Sequence, residues 1–212
     1  MITLYYFPGN ASMVAHFVLE ELGADYQLML VDRKTNGQKS EDYLALNPTG
    51  RIPTLVDGDL VLFESAAICI HLVEKNLSSK LVPEINSPER PLFFQWLMYL
   101  TSTVQSELMV YFYPDKHTDG LMGASDIASA QEKRITDMLA ILDKELTNKQ
   151  FLVGGDLTIC DLYIMMLSIW ASGFTSPPLS FPHLGKYLRS LALVPSIKEV
   201  CRKENRSLEA YQ

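Results

Sequence analysis

Two kinds of hydrophobic spacing divide the chain. In the first third, short apolar runs predict strands over 2–7 and 26–32, and apolar residues at helical spacing predict a helix over about 11–22. Two further apolar runs flank Asp57-Gly58, the signal of a two-residue hairpin turn, and the helical stretch SAAICIHLVEKN follows them. This order predicts a small sheet with helices on its faces.

After the polar segment NLSSKLVPEINSPE, the apolar residues follow helical spacing only. Helices are predicted over about 88–112, 124–146, 158–173, 184–192 and 195–204. The sharpest start is LTICDL, where Thr158 and Asp161 have the spacing of a capping-box variant and are assigned a structural role. The sequence therefore predicts two domains, residues 1–77 with strands and helices and residues 88–212 with helices only.

Composition and charge limit the classes of molecule that this protein is expected to bind. The 212 residues are 48% hydrophobic and 20% charged, with a formal net charge of −7. An acidic chain disfavours nucleic acid as the main partner, although a local site can still take a small anion. No stretch approaches the ~18 apolar residues of a membrane helix, and MITLYYFPGN lacks the features of a signal peptide. Three separated cysteines without a CxxC motif favour buried, reduced thiols, so we expect a cytoplasmic protein with no membrane partner.

The two ends of the hairpin carry the candidate chemistry. Pro53 precedes the first strand, a place suited to a cis bond that exposes the backbone of Ile52 to an extended peptide. At the other end, Ser65 begins an apolar helix. The Ser65 hydroxyl, the first N–H groups of the helix and its dipole favour a carboxylate, while Glu64 favours an ammonium group. Each residue alone also fits a structural role, as an edge proline or an N-cap. Together they predict a pocket for a short peptide with a free amino-acid end.

Three segments together resemble the cytosolic glutathione transferase family: TLYYFPGNAS, YLALNPTGRIPTLVDGDLVLFESAAI and FLVGGDLTICDLY. The resemblance covers essentially the whole chain. It implies an α/β plus all-α fold, with a thioredoxin-like N-terminal domain followed by an all-helical C-terminal domain, and a homodimer. It also implies glutathione as co-substrate, with no permanently bound cofactor and no metal. The residues that it implies for glutathione binding are Gln38, Lys39, Arg51, Ile52, Pro53, Glu64 and Ser65.

The implied chemistry requires a glutathione thiolate, whereas a free thiol titrates at about 8.5. One hydrogen bond to a charged acceptor provides roughly 1.5–3 kcal/mol and a helix N-terminus roughly 0.3–1 kcal/mol more, together enough to lower that pKa by ~2. The candidate donors are Ser12, which we place first, then Asn10 and Tyr6. Bacterial beta-type relatives carry a cysteine at the position of Ala11, which argues against a protein thiol here. His16, four residues after Ser12, lacks the acid of a hydrolytic triad and is assigned a structural role.

The leading hypothesis is a detoxifying transferase that adds the glutathione thiolate to hydrophobic electrophiles. The segment ELMVYFYPDKH supplies Met109, Tyr111, Phe112 and Tyr113 as candidates for an apolar wall of the electrophile pocket, although their helical spacing fits a core equally well. Two alternatives use the same fold. One is glutathione-dependent peroxide reduction or isomerisation, and the other is a glutathione-binding scaffold without catalysis.

Overall fold

The computed structural model describes residues 1–76 and 78–212 and leaves out the side chains of residues 121 and 122. Residue 77, which ends the predicted N-terminal domain, lies outside the described residues. None of the helices in the described ranges is long and apolar enough to cross a membrane. The same ranges hold no group of three or more His, Cys, Asp or Glu side chains placed to bind a metal ion.

Residue contacts divide the chain into two units. The first consists of Met1–Val82, Ala192–Ala210 and Gln212, and the second of Pro83–Leu191 and Tyr211. The division after Val82 falls in the polar segment, but the second unit ends earlier than the predicted range 88–212. Residues Ala192–Ala210, which include the last helix, belong to the first unit. Amphipathic spacing predicts that one face of this helix is buried. It does not indicate which of the two units covers that face.

A four-stranded sheet forms the centre of the first unit. Its strands are β1 (Ile2–Tyr6), β2 (Tyr26–Leu30), β3 (Thr54–Asp57) and β4 (Leu60–Phe63), in the order β2-β1-β3-β4. β1 runs parallel to β2 and antiparallel to β3, and β3 and β4 form the predicted hairpin. Leu4 and Leu55 face each other across β1 and β3 and are completely buried. The strand order and directions confirm the thioredoxin-like arrangement.

Helices cover the sheet of the first unit. They are α1 (Ser12–Glu21), α2 (Glu41–Leu46), α3 (Ser65–Glu74) and, last in chain order, α9 (Pro195–Lys203). α1 packs against α3 and α9 and is buried from Ser12 to Leu19. The Ser196 hydroxyl of α9 donates to Glu21 at 2.6 Å, and Lys203 forms an ion pair with Glu20 at 2.5 Å. These contacts attach the C-terminal helix to the first helix.

The second unit is helical, and the structure places no strand in its described residues. It contains α4 (Glu89–Met98), α5 (Gln105–Phe112), α6 (Leu121–Glu145), α7 (Ile159–Trp170) and α8 (Pro182–Leu191). The π-helical segment Tyr99–Val104 joins α4 to α5, so the predicted helix over 88–112 is continuous but locally wider. The Asp143 carboxylate accepts the N–H groups of His183 and Leu184 at 2.7 and 2.8 Å and thereby caps α8.

The predicted capping box at the start of α7 is confirmed. Asp161 Oδ2 accepts the Thr158 N–H at 2.6 Å and the Thr158 hydroxyl at 2.8 Å. Its other oxygen accepts the Leu152 N–H at 2.8 Å and the Tyr187 hydroxyl. Burial raises the pKa of Asp161, and the hydrogen bonds that it accepts oppose that rise. Asp161 thus joins the start of α7 to α8 and to the preceding loop.

Candidate active site

Two helix starts of the first unit meet at one point. α1 begins at Ser12, directly after the loop that follows β1, and α3 begins at Ser65. The Ser65 hydroxyl donates to the carbonyl of Ala11 at 2.9 Å, and both residues are buried. This bond joins the PGNAS segment to the Glu-Ser pair, which are far apart in sequence. The predicted binding and thiol-activating residues therefore lie side by side.

The start of α3 offers backbone donors to an anion. The first α3 amide that bonds within the described chain is that of Ile68, which donates to the Glu64 carbonyl at 3.0 Å. The N–H groups of Ser65, Ala66 and Ala67 make no hydrogen bond to a described residue. The Ser65 hydroxyl was expected to bind the ligand carboxylate, but it is used inside the chain. A carboxylate at this point would therefore meet backbone N–H groups and the positive end of the helix dipole.

Glu64 stands between β4 and α3 in an unusual backbone conformation. Its φ is 72° and its ψ is 111°. A positive φ at a residue other than glycine costs on the order of 1–3 kcal/mol and persists where the surrounding fold or a function requires it. The Glu64 side chain is exposed, and its carboxylate has no partner among the described residues. The strained backbone presents this carboxylate beside the N–H groups of α3.

The segment before β3 presents an unpaired backbone edge. The Ile52-Pro53 bond is cis, as the sequence suggested. The N–H and carbonyl of Ile52 make no hydrogen bond to the described residues, while its side chain is buried against Val31 and Tyr43. An extended peptide can therefore pair with the Ile52 backbone.

Two buried side chains that sequence reasoning missed hold this segment. Asn47 Nδ2 and the Tyr43 hydroxyl donate to the carbonyl of Arg51 at 2.8 and 2.7 Å. Asn47 Oδ1 accepts the Thr49 N–H at 3.1 Å and its hydroxyl at 2.7 Å. The Asn47–Thr49 contact is an Asx turn, which the Asn-Pro-Thr triplet in the sequence could have predicted. These bonds fix the peptide that precedes Ile52.

Gln38 and Lys39 lie on a 3-10 turn beside the same segment. The Lys39 side chain lies over Gly50, where an added Cβ would be 2.6 Å from Nζ. Gly50 has a φ of 60°, a conformation that favours glycine. Gln38 Oε1 is buried without a partner among the described residues, and Arg51 is exposed. The structure thus brings these predicted binding residues next to Ile52.

The three candidate thiol donors differ in their surroundings. Ser12 is completely buried, and its hydroxyl donates to the Phe7 carbonyl at 3.2 Å and accepts the Phe7 N–H at 3.3 Å. The Tyr6 ring lies edge-on to His16, with centroids 6.3 Å apart, on the face of β1 that packs against α1. Asn10 is half-buried; its Oδ1 accepts the Ala11 N–H at 2.8 Å, and its Nδ2 bonds no described residue. The Ser12 hydroxyl is therefore already bonded within the chain, whereas the Asn10 Nδ2 hydrogens bond no described residue. Which candidate contacts the thiol stays a prediction.

A cysteine of the chain is poorly suited to supply the thiolate. Cys69, Cys160 and Cys201 are free and buried, as predicted. Burial raises the pKa of the Cys201 thiol to about 12 and also raises those of the other two. Ala11, at the position where beta-type relatives carry a cysteine, has no thiol. A nucleophilic sulfur at this site would therefore have to come from a bound molecule.

The predicted electrophile-pocket residues lie on α5 and directly after it, within the second unit. The Tyr111 ring packs on Phe174 with centroids 4.7 Å apart, and Lys116 lies over the Tyr113 ring. Phe112 is exposed and meets the edge of Trp170. Met109 is half-buried. Their role in binding an electrophile stays a prediction.

Comparison with known proteins identifies similar chains. Residues 1–74 match the family model "Glutathione S-transferase, N-terminal domain", and residues 106–193 match "Glutathione S-transferase, C-terminal domain". Glutathione S-transferase 1 of Zea mays is 30% identical over 86% of each chain. Glutathione S-transferase GstA of Escherichia coli O157:H7 is 25% identical over 95% of this chain and 98% of its own. A sphingomonad glutathione S-transferase, solved in complex with glutathione, is 26% identical with a TM-score of 0.83 and covers 97% of this chain and 100% of its own.

Proposed function

The chain belongs to the glutathione S-transferase family, and we propose that it conjugates the thiolate of glutathione to hydrophobic electrophiles through the site on its first unit. The observation that carries the proposal is the Ser65–Ala11 hydrogen bond, because it places the start of α3 beside the start of α1. Binding groups and a thiol donor then lie around one point. Such a reaction would detoxify the electrophile, and buried free cysteines suit a cytoplasmic enzyme.

The unpaired groups of the site match the functional groups of glutathione. The N–H groups at the start of α3 bind the γ-glutamyl carboxylate, and the Glu64 carboxylate binds the neighbouring ammonium group. The Ile52 backbone pairs with the backbone of the cysteinyl residue. Asn47 and Tyr43 fix the position of Ile52 through their bonds to the Arg51 carbonyl. Lys39, with Gln38 beside it, is placed for the glycine carboxylate.

In this arrangement Asn10 stabilises the thiolate. Its Oδ1 is held by the Ala11 N–H, which leaves the Nδ2 hydrogens to donate to the sulfur. A hydrogen bond to an ionised acceptor is worth roughly 1.5–3 kcal/mol, which lowers the thiol pKa by about 1 to 2. The thiolate then attacks the electrophilic carbon, forming a carbon–sulfur bond as the leaving group departs with its electron pair.

The function is tested with purified protein. We expect retention on immobilised glutathione and a steady release of chloride when chlorodinitrobenzene and glutathione are added. Retention without conjugation of this or other aromatic and alkyl electrophiles would contradict the transferase proposal in favour of the scaffold. Oxidation of glutathione by an organic hydroperoxide as the sole activity would instead favour the peroxidase alternative.

Substitutions of Glu64 should separate its role in glutathione binding from the effect of its positive φ on folding stability. Glu64→Ala and Glu64→Gln should weaken glutathione binding by at least about fivefold, because the ligand ammonium loses its charged partner. Glu64→Gly should lose the same affinity but unfold with a free energy about 1 kcal/mol higher than Glu64→Ala, because glycine adopts positive φ without strain. Calorimetry measures the affinity and urea denaturation the stability. Wild-type affinity in all three variants would contradict the role of Glu64.

We propose that the protein is a homodimer. The edge strand β4 exposes apolar side chains, Leu60 at 41%, Val61 at 38% and Phe63 at 38%. In the second unit, Leu92 and Met98 of α4 are also exposed. Exposed apolar surface of this kind commonly marks an interface between subunits.

Light scattering tests the dimer. Wild-type protein at micromolar concentration should have twice the chain mass, and Phe63→Glu should have the mass of a monomer, because a buried unpaired charge opposes association. Leu193→Glu is the matched control, since Leu193 is 66% exposed and lies outside β4. A monomeric wild-type protein would contradict the proposal.

A further inference from the structure

The two residues that hold the loop before Asn10 come from the far end of the chain. Gly9 N–H donates to Glu204 Oε2 at 2.7 Å, and Arg206 Nη2 donates to the Pro8 carbonyl at 2.8 Å. The carbonyl and the N–H belong to one planar peptide unit, Pro8–Gly9, so this unit is bonded on both sides. We call this arrangement the C-terminal clamp.

The clamped peptide is the central unit of a β-turn. The Asn10 N–H donates to the Phe7 carbonyl at 3.1 Å, and Gly9 has a φ of 69°. Proline at the second position and a positive φ at the third are features of a type II turn. Type I and type II turns differ by a flip of their central peptide, which reverses its carbonyl and N–H. The clamp binds both groups in one orientation and thereby opposes the flip.

Glu204 is itself fixed on its other side. Its Oε1 lies 2.8 Å from His16 Nδ1, and the two side chains are completely buried. His16 Nε2 lies 2.9 Å from the Tyr26 hydroxyl, whose single hydrogen is donated to Glu20. Burial and this bond to Glu20 raise the pKa of Tyr26 to about 12, so the hydroxyl keeps its hydrogen and His16 Nε2 is the donor in their bond.

Two protonation states satisfy these bonds. Either His16 is an imidazolium paired with a carboxylate, or neutral His16 accepts a hydrogen from a protonated Glu204 Oε1. The pair carries no net charge in either state, and Oε2 stays an acceptor for the Gly9 N–H. Glu204 thus acts on the loop through a fixed position rather than through its charge.

The end of α9 fixes where the clamp residues point. Asn205 has a φ of 53°, and the Arg206 N–H donates to the Cys201 carbonyl at 2.8 Å, which ends the helix. The Arg206 guanidinium then lies on Gly9, where an added Cβ would be 2.3 Å from Nη2. The positive φ of Gly9 favours a glycine at this position, and a side chain there would also displace the guanidinium.

We propose that Glu204 and Arg206 are positioning residues of the transferase, which hold the Pro8–Gly9 peptide so that the Asn10 amide faces the glutathione sulfur. The inference rests on the proposed function, because it assigns the thiol contact to Asn10. Without the clamp the turn samples a second orientation, and the amide spends less time on the sulfur. Glutathione itself is held elsewhere, by the start of α3 and by Ile52, so its affinity should change little.

Four variants test the clamp. Glu204→Leu and Arg206→Ala remove one side each, and Arg202→Ala, an exposed arginine paired with Glu199, is the matched control. Glu204→Gln is the conservative variant: its oxygen accepts the Gly9 N–H and its nitrogen donates to neutral His16. We expect kcat to fall about 5- to 20-fold in the first two, with KM for glutathione within about twofold. Arg202→Ala and Glu204→Gln should stay within about twofold of wild type.

Two further readouts separate positioning from general stability. Ultraviolet absorbance of the bound thiolate, measured against pH, should show a higher thiol pKa in Glu204→Leu and Arg206→Ala only. Amide exchange of Gly9, followed by NMR without glutathione, should be at least about tenfold faster in the same two variants. If Glu204→Leu does not fold, the Arg206→Ala variant still tests the clamp. Arg206 is exposed, so its replacement leaves no buried group unpaired and should not prevent folding.

The inference is overturned if kcat, the thiol pKa and Gly9 exchange in Arg206→Ala all match Arg202→Ala. Loss of kcat in Glu204→Gln equal to that in Glu204→Leu would also overturn it, since charge rather than position would then matter. If the wild type binds glutathione but conjugates nothing, the proposed function fails. In that case the thiol pKa and the Gly9 exchange rate still decide on the clamp.

Discussion

Replacing Asn10 by alanine is expected to lower kcat/KM for glutathione conjugation by about 10- to 100-fold at neutral pH. The range corresponds to losing about 1.4–2.7 kcal/mol of thiolate stabilisation, the size of one hydrogen bond to a charged acceptor. Asn10 Nδ2 is the side-chain donor of the PGNAS segment without a partner among the described residues. The affinity for glutathione, measured by calorimetry, should change little, because the groups proposed to hold the peptide are Glu64, Ile52 and the start of α3.

The pH dependence identifies the cause of the loss. Raising the pH should recover part of the Asn10→Ala rate, because a free thiol ionises without help above about 8.5. Asn10→Asp should be more harmful than Asn10→Ala, because a carboxylate repels the thiolate. The rates are measured with chlorodinitrobenzene over a series of pH values, with thermal melting of each variant as a check on folding.

Two variants serve as controls for the Asn10 assignment. Tyr6→Phe should be nearly silent. Ser12→Ala should lower the melting temperature, because it removes both bonds to Phe7, while affecting the thiol pKa less than Asn10→Ala does. If Ser12→Ala abolishes conjugation and Asn10→Ala is mild, the serine assignment is correct. A Tyr6→Phe variant without activity would favour a tyrosine-type mechanism.

Replacing Asp161 by alanine is expected to lower the free energy of unfolding by about 3–5 kcal/mol. The carboxylate is completely buried and accepts four hydrogen bonds, from Leu152, Tyr187 and two groups of Thr158. Its removal leaves buried donors without partners, each costing about 1–3 kcal/mol. Asp161→Asn should also be strongly destabilised, because one oxygen becomes a donor that faces other donors.

Urea denaturation and thermal melting measure this effect. At about 2–4 °C per kcal/mol for a chain of this size, the Asp161→Ala melting temperature should fall by roughly 10 °C. Asp126→Asn, an exposed aspartate on α6, is the matched control and should shift it by less than about 2 °C. Glutathione affinity of the folded fraction should be retained, since the peptide-binding groups lie in the first unit. A shift equal to that of Asp126→Asn would contradict the role of Asp161.

Local chemistry made much of the fold predictable. The hairpin at Asp57-Gly58, the strand and helix order of the first unit and the capping box at Thr158 follow from spacings of a few residues, and the structure confirms them. The cis bond at Pro53 was also suggested by its place before a strand. Each of these depends on interactions between near neighbours in the chain, which a sequence displays directly.

The sequence shows less about which polar groups are left unbonded by the fold. Ser12 and Asn10 are both polar residues at a helix start, and the sequence does not show that the Ser12 hydroxyl is bonded to Phe7 while Asn10 Nδ2 bonds no described residue. The Ser65 hydroxyl is likewise used by Ala11, so its backbone N–H rather than its side chain is left for a ligand. Hydrogen-bonding capacity is a property of the residue type, but its use depends on which partners the fold brings near.

The sequence by itself determined which segments are strands and helices, and it placed the helix starts to within a few residues. It also suggested that Glu64, Ser65 and Ile52 together suit a peptide ligand, which stays a prediction. Only the tertiary structure decided that α9 packs on the first unit and that Glu204 and Arg206 hold the Pro8–Gly9 peptide. The Gly9–Glu204 bond joins positions 195 residues apart, and no periodicity or motif connects them. Secondary structure follows from local spacing, whereas such contacts depend on how the whole chain folds back on itself.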